Sequence, residues 1–201
     1  MYRLRPGVEL VLASASPRRR EFLERLGIAF TLVPAEVDEA LWPGESAEDA
    51  ALRLAVSKAR AVAALHPGRA VLAADTLVSL GSRILGKPED QESARRMIEL
   101  LSGRQHEVVT GYCLIHEDQE ESGLAVSKVH FRRLSPAEIA AYVQSGEPLD
   151  KAGGYAVQGL GAALVEEVSG SYTNVVGLPL SRVVELLLRR GMIEPWREVG
   201  T

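Results

Sequence analysis

The sequence predicts a mixed α/β fold, a sheet flanked by helices, and three observations predict it. Short apolar runs alternate with well-capped helical segments at the start of the chain, and two long strand-like runs lie back to back in its middle. Hydrophobic residues make up 46% of the 201 residues, enough for a sizeable core. No repeat, linker or low-complexity segment divides the chain, so residues 1–201 read as one domain.

The first strand is the apolar run Val8–Ala13, which stops at Ser14-Ala15-Ser16. Pro17 stands where proline is best tolerated, in the first turn of a helix. Ser16 is then the natural N-cap, and Phe22, Leu23 and Leu26 form the apolar face. Phe30–Pro34 reads as a second strand and leads into the acidic loop AEVDEALWPGE. Ser46 with Asp49 is a capping-box signal for a long helix through about Ala64, which His66-Pro67-Gly68 stops. Arg69–Ala74 is a buried strand with Asp75 and Thr76 at its end, and Thr76–Leu85 reads as a hairpin turning at Gly81-Ser82. Asp90 or Ser93 caps a helix that ends at Gly103. Two long strands follow, roughly Glu107–His116 and Leu124–Arg133, joined by EDQEES, whose acidic residues read as a solvated hairpin tip. Ser135-Pro136-Ala137-Glu138 opens a helix that ends near Gly146. Gly153–Val168 is glycine-rich and then apolar, a loop feeding a strand, and Pro179–Arg190 is an apolar-faced helix closed by Gly191.

Composition excludes several classes of function. A net charge of −4 and a pI near 5.7 argue against a nucleic-acid coat or an anionic membrane surface as partner. No apolar run is long enough to span a bilayer, and the opening MYRLRPG lacks the apolar stretch of a signal peptide. Cys113 is the single cysteine, so no intrachain disulfide forms, which fits a reducing cytoplasm. His66, His106, His116 and His130 show no metal-ligand spacing.

The residues that carry chemistry fall at the ends of elements. Ser14, Ser16, Arg18, Arg19 and Arg20 stand where a strand meets a helix N-terminus, whose unpaired N–H groups and dipole suit phosphate. Arginine adds forked donors, and arginines in a first turn oppose the macrodipole unless an anion offsets them. Asp75 is a general base, a metal ligand or a strand-end cap. Glu36, Asp38 and Glu39 are ordinary loop acidity or oxygen ligands for Mg²⁺ or Mn²⁺. Lys58, flanked by Arg53 and Arg60, is a weak signal on a helix whose remaining face is expected to be charged. Lys87, held extended by Pro88, is better placed as a phosphate ligand. The glycines around Asp150–Tyr155 permit close approach of a ligand, but they precede a strand and so are no dinucleotide fingerprint. Gln158 can donate and accept at once, which matches the N–H flanked by carbonyls on a uracil or thymine edge.

Taken in order, SASPRR at 14–19, Lys58-Ala59-Arg60, Ala74-Asp75-Thr76, Gly86-Lys87-Pro88 and Leu101-Ser102-Gly103 form a specific series. It continues with EPLDKAG at 147–153, Gln158-Gly159 and Gly177-Leu178-Pro179. Over nearly its whole length the chain resembles the Maf family of nucleoside triphosphate pyrophosphatases. The resemblance implies two lobes around a central nucleotide-binding cleft, a divalent metal, and hydrolysis of a nucleoside triphosphate to the monophosphate and pyrophosphate. It implies Asp75 as proton acceptor, with Lys58 and Lys87 as further catalytic residues at phosphate-binding positions, and Glu39 with Asp75 on the metal. It places Ser14, Ser16, Arg18 and Arg19 on phosphate. Arg19, Thr76 and Gln158 match the branch acting on dTTP and UTP, not that acting on 7-methyl-GTP. Ala74 stands where glycine is common, and Trp42 and the tail from Glu194 match no motif.

Attack of water on an α-phosphorus must overcome repulsion by a polyanion, which a metal on carboxylates and cations on phosphate oxygens relieve. A nucleotide-sensing or protein-interaction module in cell-division control would need the basic residues but not Asp75 and Glu39, so their joint presence favours the enzyme. An RNA-binding role has the acidic pI and only ten aromatic residues against it. The sequence leaves oligomeric state open, and a homodimer would be unsurprising.

Overall fold

The structure is a computed structural model and describes residues 1–196. The last five residues of the tail lie outside the described residues. In chain order the elements are β1 (Tyr2–Leu4), β2 (Leu10–Ala13), α1 (Pro17–Leu26), β3 (Thr31–Leu32) and α2 (Ala47–Ala63). The middle comprises β4 (Ala70–Leu80), β5 (Arg83–Leu85), α3 (Gln91–Leu101), β6 (Gln105–His116) and β7 (Gln119–Phe131). Then come α4 (Pro136–Gln144), three short 3-10 turns, β8 (Val165–Ser169), α5 (Tyr172–Val176), α6 (Leu180–Arg189) and β9 (Ile193–Pro195). The mixed α/β architecture is as the sequence predicts. No helix among the described residues is long and apolar enough to cross a membrane.

Seven strands make one mixed sheet in the order β3-β2-β4-β6-β7-β8, with β5 paired to β4 as well. Strands β2, β3 and β4 run parallel, and β4, β6, β7 and β8 run antiparallel. Helix α2 covers one face, packing Ala55, Ala59 and Val62 on Val11, Ala13, Val71 and Ala73. The other face carries two separate apolar clusters. Phe22, Leu23, Val183, Leu186 and Leu187 from α1 and α6 pack on Leu10, Leu12 and Leu72. Ala94, Ile98, Leu101, Ile139 and Val143 from α3 and α4 pack on Val78, Val108 and Val129. These clusters are the cores of two lobes, each fully buried leucine or isoleucine contributing roughly 1.5–3 kcal/mol.

The structure corrects four local expectations. First, β4 does not end at Ala74 but continues through Asp75 and Thr76 to Leu80, because β6 pairs with it from Val71 to Ser79. Second, the turn between the long strands is only Glu117-Asp118, both with positive φ, the two-residue geometry that suits a twisted hairpin. Glu120 and Glu121 therefore lie in β7, where they pair with Arg60 at 2.6 Å and with Arg189 instead of forming a solvated tip. Third, Gly153–Val168 is mostly 3-10 turns before β8 begins at Val165. Fourth, Ser16 occupies the N-cap position of α1, but its side chain makes no capping bond. Both Asp90 and Ser93 serve α3, in a reciprocal box. The β1–β9 ladder, with Arg3 on Glu194 at 2.8 Å, and helix α5 had no signal in the apolar pattern.

Gly111 sets the depth of α2 on the sheet. It pairs directly with Asp75, and a Cβ there would lie 2.3 Å from the Ala51 carbonyl oxygen of α2. The missing side chain lets the helix come close enough for Lys58 to reach Asp75. Under the α3–α4 lobe, His106 is buried edge-on to Phe131 and Tyr155, with Nε2 2.8 Å from the Tyr155 hydroxyl. Burial pulls its pKa down to about 4.

Gly111→Ala is expected to destabilise the fold by at least about 3 kcal/mol in urea unfolding, since backbone must move to admit the methyl group. An unfolded histidine titrates near 6.5 while native His106 stays neutral to about 4, so below neutrality the unfolded chain binds the extra proton. Stability should therefore fall as pH drops from about 6.5 to 4, by up to about 3 kcal/mol, and His106→Gln should remove that share of the acid loss.

Candidate active site

A cleft of about 690 Å³ opens between the two lobes, within the usual range of small-ligand sites. It lies at a gap in the sheet. On the edge of β4 that faces away from β6, β2 pairs only with Ala70–Ala73 and β5 only with Val78–Leu80. Ala74–Leu77 has no strand alongside it there among the described residues. Into this gap runs the chain leaving β2, so Ser14, Ser16, Arg18 and Arg19 line the cleft beside Asp75 and Thr76.

Alternation along β4 sends Asp75 and Thr76 to opposite faces. On the α2 face, Lys58 Nζ stands 2.5 Å from Asp75 Oδ1 and 2.5 Å from Glu39 Oε1. Lys58 and Asp75 are buried, whereas Glu39 approaches from the solvent side. Burial alone would raise the Glu39 pKa, but the hydrogen bond and charge of Lys58, with Lys87 and Arg19 behind it, hold it below the ordinary glutamate value. Glu36 and Asp38 do not line the cleft, and Asp38 instead accepts the Ala40 N–H at 2.9 Å. The loop carrying Glu39 is tethered to α2 by Arg53, which bonds Glu45 at 2.6 and 2.7 Å and the Ala40 carbonyl at 3.1 Å. The Arg53 guanidinium also lies 4.2 Å from the Trp42 ring, which gives Trp42 a place in this tether.

On the other face Arg19 is a cross-link. Its Nε donates to the Gly177 carbonyl at 2.7 Å, Nη2 to Thr76 Oγ1 at 2.9 Å and Nη1 to Ser14 Oγ at 3.3 Å. Burial lowers its pKa and the Asp75 charge opposes the shift. Three of its five N–H groups are used, so two remain for a ligand. Thr76 sits 2.9 Å from Thr110 Oγ1 directly across the β4–β6 ladder, and Thr110 donates to the Asn174 carbonyl at 3.2 Å. Asn174 is fully buried, donating to the Val108 carbonyl and Ser127 Oγ, so α5 and Gly177 are fixed to the sheet. Lys87, exposed on the loop after β5, and Gln158, exposed between two 3-10 turns, line the cleft from the other lobe. Lys151 lines it too, paired with Asp150.

The structure therefore brings Ser14, Ser16, Arg18, Arg19, Glu39, Lys58, Asp75, Thr76, Lys87 and Gln158 around one cleft and leaves Arg20, Glu36 and Asp38 outside it. Glu39 and Asp75 converge on Lys58, and no group of three metal-ligating side chains occurs among the described residues. Two hard oxygen donors are what Mg²⁺ or Mn²⁺ takes when phosphate oxygens and water complete its shell, so the pair fits such a cation. Thr110, Tyr155 and the Gly177 carbonyl were missed. Lys58 had a readable signal, since it lies at helical spacing with Ala51, Leu54, Ala55 and Val62 on the buried face of α2.

The family model described as Maf-like protein matches residues 9–190. A protein named dTTP/UTP pyrophosphatase from Anaeromyxobacter dehalogenans (strain 2CP-C) is 53% identical over 193 residues, 94% of this chain and 97% of its own length. One of the same name from Myxococcus xanthus (strain DK1622) is 55% identical over 188 residues, 94% and 95% of the two chains. A third, from Halalkalibacterium halodurans, is 47% identical over 182 residues, 90% and 96%.

Arg19→Lys keeps the charge but cannot span three acceptors. It is expected to cost about 1–3 kcal/mol of stability and to weaken binding of inorganic tripolyphosphate about tenfold in calorimetry. Unchanged affinity would show that Arg19 acts on the fold alone.

Proposed function

The chain belongs to the Maf-like protein family, and on that premise we propose that it is a pyrophosphatase hydrolysing dTTP and UTP, with modified pyrimidine nucleotides, to the monophosphate and pyrophosphate. The observation that carries this reading is the Glu39–Lys58–Asp75 array at the open edge of β4, facing the arginines of the β2–α1 turn across one cleft.

In this reading Asp75 is the proton acceptor. Lys58 occupies Oδ1, which leaves Oδ2 to take a proton from water. The water oxygen bonds to the α-phosphorus, the bond from that phosphorus to the bridging oxygen breaks, and pyrophosphate departs with the electron pair. A base so positioned contributes about 10²–10⁴-fold. Ser14, Ser16, Arg18, Arg19 and Lys87 hold the phosphate oxygens at the mouth, and Lys58 orients Asp75 and Glu39. A divalent cation would be held by Glu39 and Asp75 and would supply neutralisation of the phosphates and of the charge that develops on them. Charge balance favours it. Arg18, Arg19, Lys58 and Lys87 set against Glu39 and Asp75 leave a surplus of two positive charges, with Lys151 and Asp150 cancelling, and a triphosphate brings more than that. Arg19, Thr76 and Gln158 select the pyrimidine nucleotide. The whole chain acts as one catalytic unit. Residence in the cytoplasm is part of the proposal, in keeping with the lone Cys113, whose burial pushes its thiol up to about 12 and leaves it inert.

A module that binds nucleotide without turnover would not need two carboxylates drawn together on a buried lysine, and nothing in the cleft favours it. Pyrophosphate release from dTTP, UTP, CTP, GTP and 7-methyl-GTP, with Mg²⁺ or Mn²⁺ and with chelator, tests the proposal. Wild type should release pyrophosphate from dTTP and UTP only with metal, and Asp75→Asn should lose about 10³-fold while still binding nucleotide. Full turnover by Asp75→Asn would remove Asp75 as the base, and silence of wild type on every nucleotide would sink the reaction.

A further inference from the structure

Gln158 is well placed to read a base edge, yet it sits exposed between two short 3-10 turns, a poor support for a specificity residue. What steadies it is a carboxylate on the far side of its loop. Glu147 follows Gly146 at the end of α4 and points back under residues 159–161. Its Oε2 accepts the Leu160 N–H at 2.9 Å, and its Oε1 accepts the Gly161 N–H at 2.8 Å and the Tyr142 hydroxyl at 2.9 Å. Upstream, the Gly159 N–H closes onto the Ala156 carbonyl at 3.1 Å. Gln158 thus projects from a one-turn loop in which two of the next three residues, Leu160 and Gly161, are held by one carboxylate.

The approach is close enough to dictate sequence. A Cβ at Gly159 would stand 2.1 Å from Glu147 Oε2, and one at Gly161 would stand 2.8 Å from the Tyr142 hydroxyl oxygen. Burial raises the Glu147 pKa, but the backbone donors of Gly161 and Leu160 and the Tyr142 hydroxyl outweigh it and keep the group ionised. An ionised carboxylate accepting from three donors is a stronger and more directional anchor than neutral hydrogen bonds. Tyr142 belongs to the core of the α3–α4 lobe, so the anchor ties the loop to a packed element.

We infer that Glu147 is the positioning residue for base recognition, setting where Gln158 meets the pyrimidine while taking no part in phosphate binding or in the attack on phosphorus. This rests on the pyrimidine nucleotide reading proposed above. A carboxylate that only stabilised the lobe would affect all ligands of the cleft alike, whereas one that places Gln158 affects only those carrying a base.

Calorimetric binding of α,β-imido-dUTP and of inorganic tripolyphosphate separates the two. Glu147→Gln exchanges one acceptor oxygen for an NH₂ facing an N–H donor, and it is expected to weaken α,β-imido-dUTP about tenfold while tripolyphosphate stays within about twofold. Gly159→Ala, which leaves the carboxylate intact but pushes the loop off it, should do the same and covers the case in which Glu147→Gln does not fold. Glu147→Asp should fall between wild type and Glu147→Gln. Equal losses for both ligands, or no loss for either in the folded variants, overturn the inference, as does a wild type that gains nothing from the base. The reaction is read separately, as pyrophosphate release by wild type from dTTP and UTP. If that fails while the base-dependent loss is seen, the reaction falls and the role of Glu147 stands.

Discussion

Strand β4 is paired along one edge by β6 over nine consecutive residues and along the other only at its two ends, and this asymmetry positions what the cleft contains. The long ladder with β6 holds Asp75 and Thr76 in a rigid backbone. The four-residue gap between β2 and β5 gives those same residues room for a ligand that a central strand would deny them. The chain leaving β2 must turn at the gap, and Pro17 sets the helix start there, which delivers Ser14 and the arginines to the opening. A carboxylate at the free end of a strand would fray with it. One in mid-strand cannot, and a general base has to be held to within a fraction of an ångström to act on a bound water.

The two faces of β4 then divide the labour. Asp75 meets α2, where Lys58 holds two carboxylates that would otherwise repel one another, and Gly111 sets how near the helix comes. Thr76 meets the opposite side, where a hydrogen-bond network joins the two threonine hydroxyls to Arg19 and α5. Thr110 donates to the Asn174 carbonyl, while the Thr76 hydroxyl accepts from Arg19 and has both Thr110 Oγ1, at 2.9 Å, and the Gly177 carbonyl, at 3.4 Å, within reach of its own proton. Arg19 is thereby locked with two N–H groups still free, a preorganised arrangement that needs little rearrangement when a charged ligand arrives.

Much of the architecture was legible in the sequence because its signals are local. Pro17, the Ser46–Asp49 and Ser135–Glu138 boxes, and the glycines at 103 and 191 start and stop helices through contacts within one turn. What was illegible depends on partners far along the chain. Asp75 and Thr76 lower the local hydropathy and so read as a strand end, but the strand persists because β6 supplies the pairing from more than thirty residues away. By composition alone Glu39 could not be told from Glu36 and Asp38, and only the family resemblance picked it out, because the tether of this loop to Arg53 of α2 and the contact with Lys58 are made by residues further along the chain. Arg19, read as a phosphate ligand, is also a structural clamp because a backbone carbonyl 158 residues on happens to meet its Nε. Helix α5 escaped notice at five residues, too short for an apolar period, although Ser171 caps it through the Asn174 N–H.

The residues proposed to surround the reacting phosphorus and those proposed to meet the base are rooted in different cores. Asp75, Lys58 and Glu39 depend on α2 and the packing beneath it, while Gln158 and its carboxylate support depend on Tyr142 and the α3–α4 lobe. Only β4 and β6 run through both. Substitutions in the α3–α4 lobe can therefore shift or loosen the base-reading loop without disturbing the carboxylate–lysine array, because no hydrogen bond among the described residues runs from Glu147 to that array. The converse does not hold for β4 and β6, whose ladder underlies both halves, so a change at Gly111 or Thr110 reaches the chemistry and the recognition together. On the proposed roles, selectivity is adjustable at the lobe and the reaction is protected in the sheet.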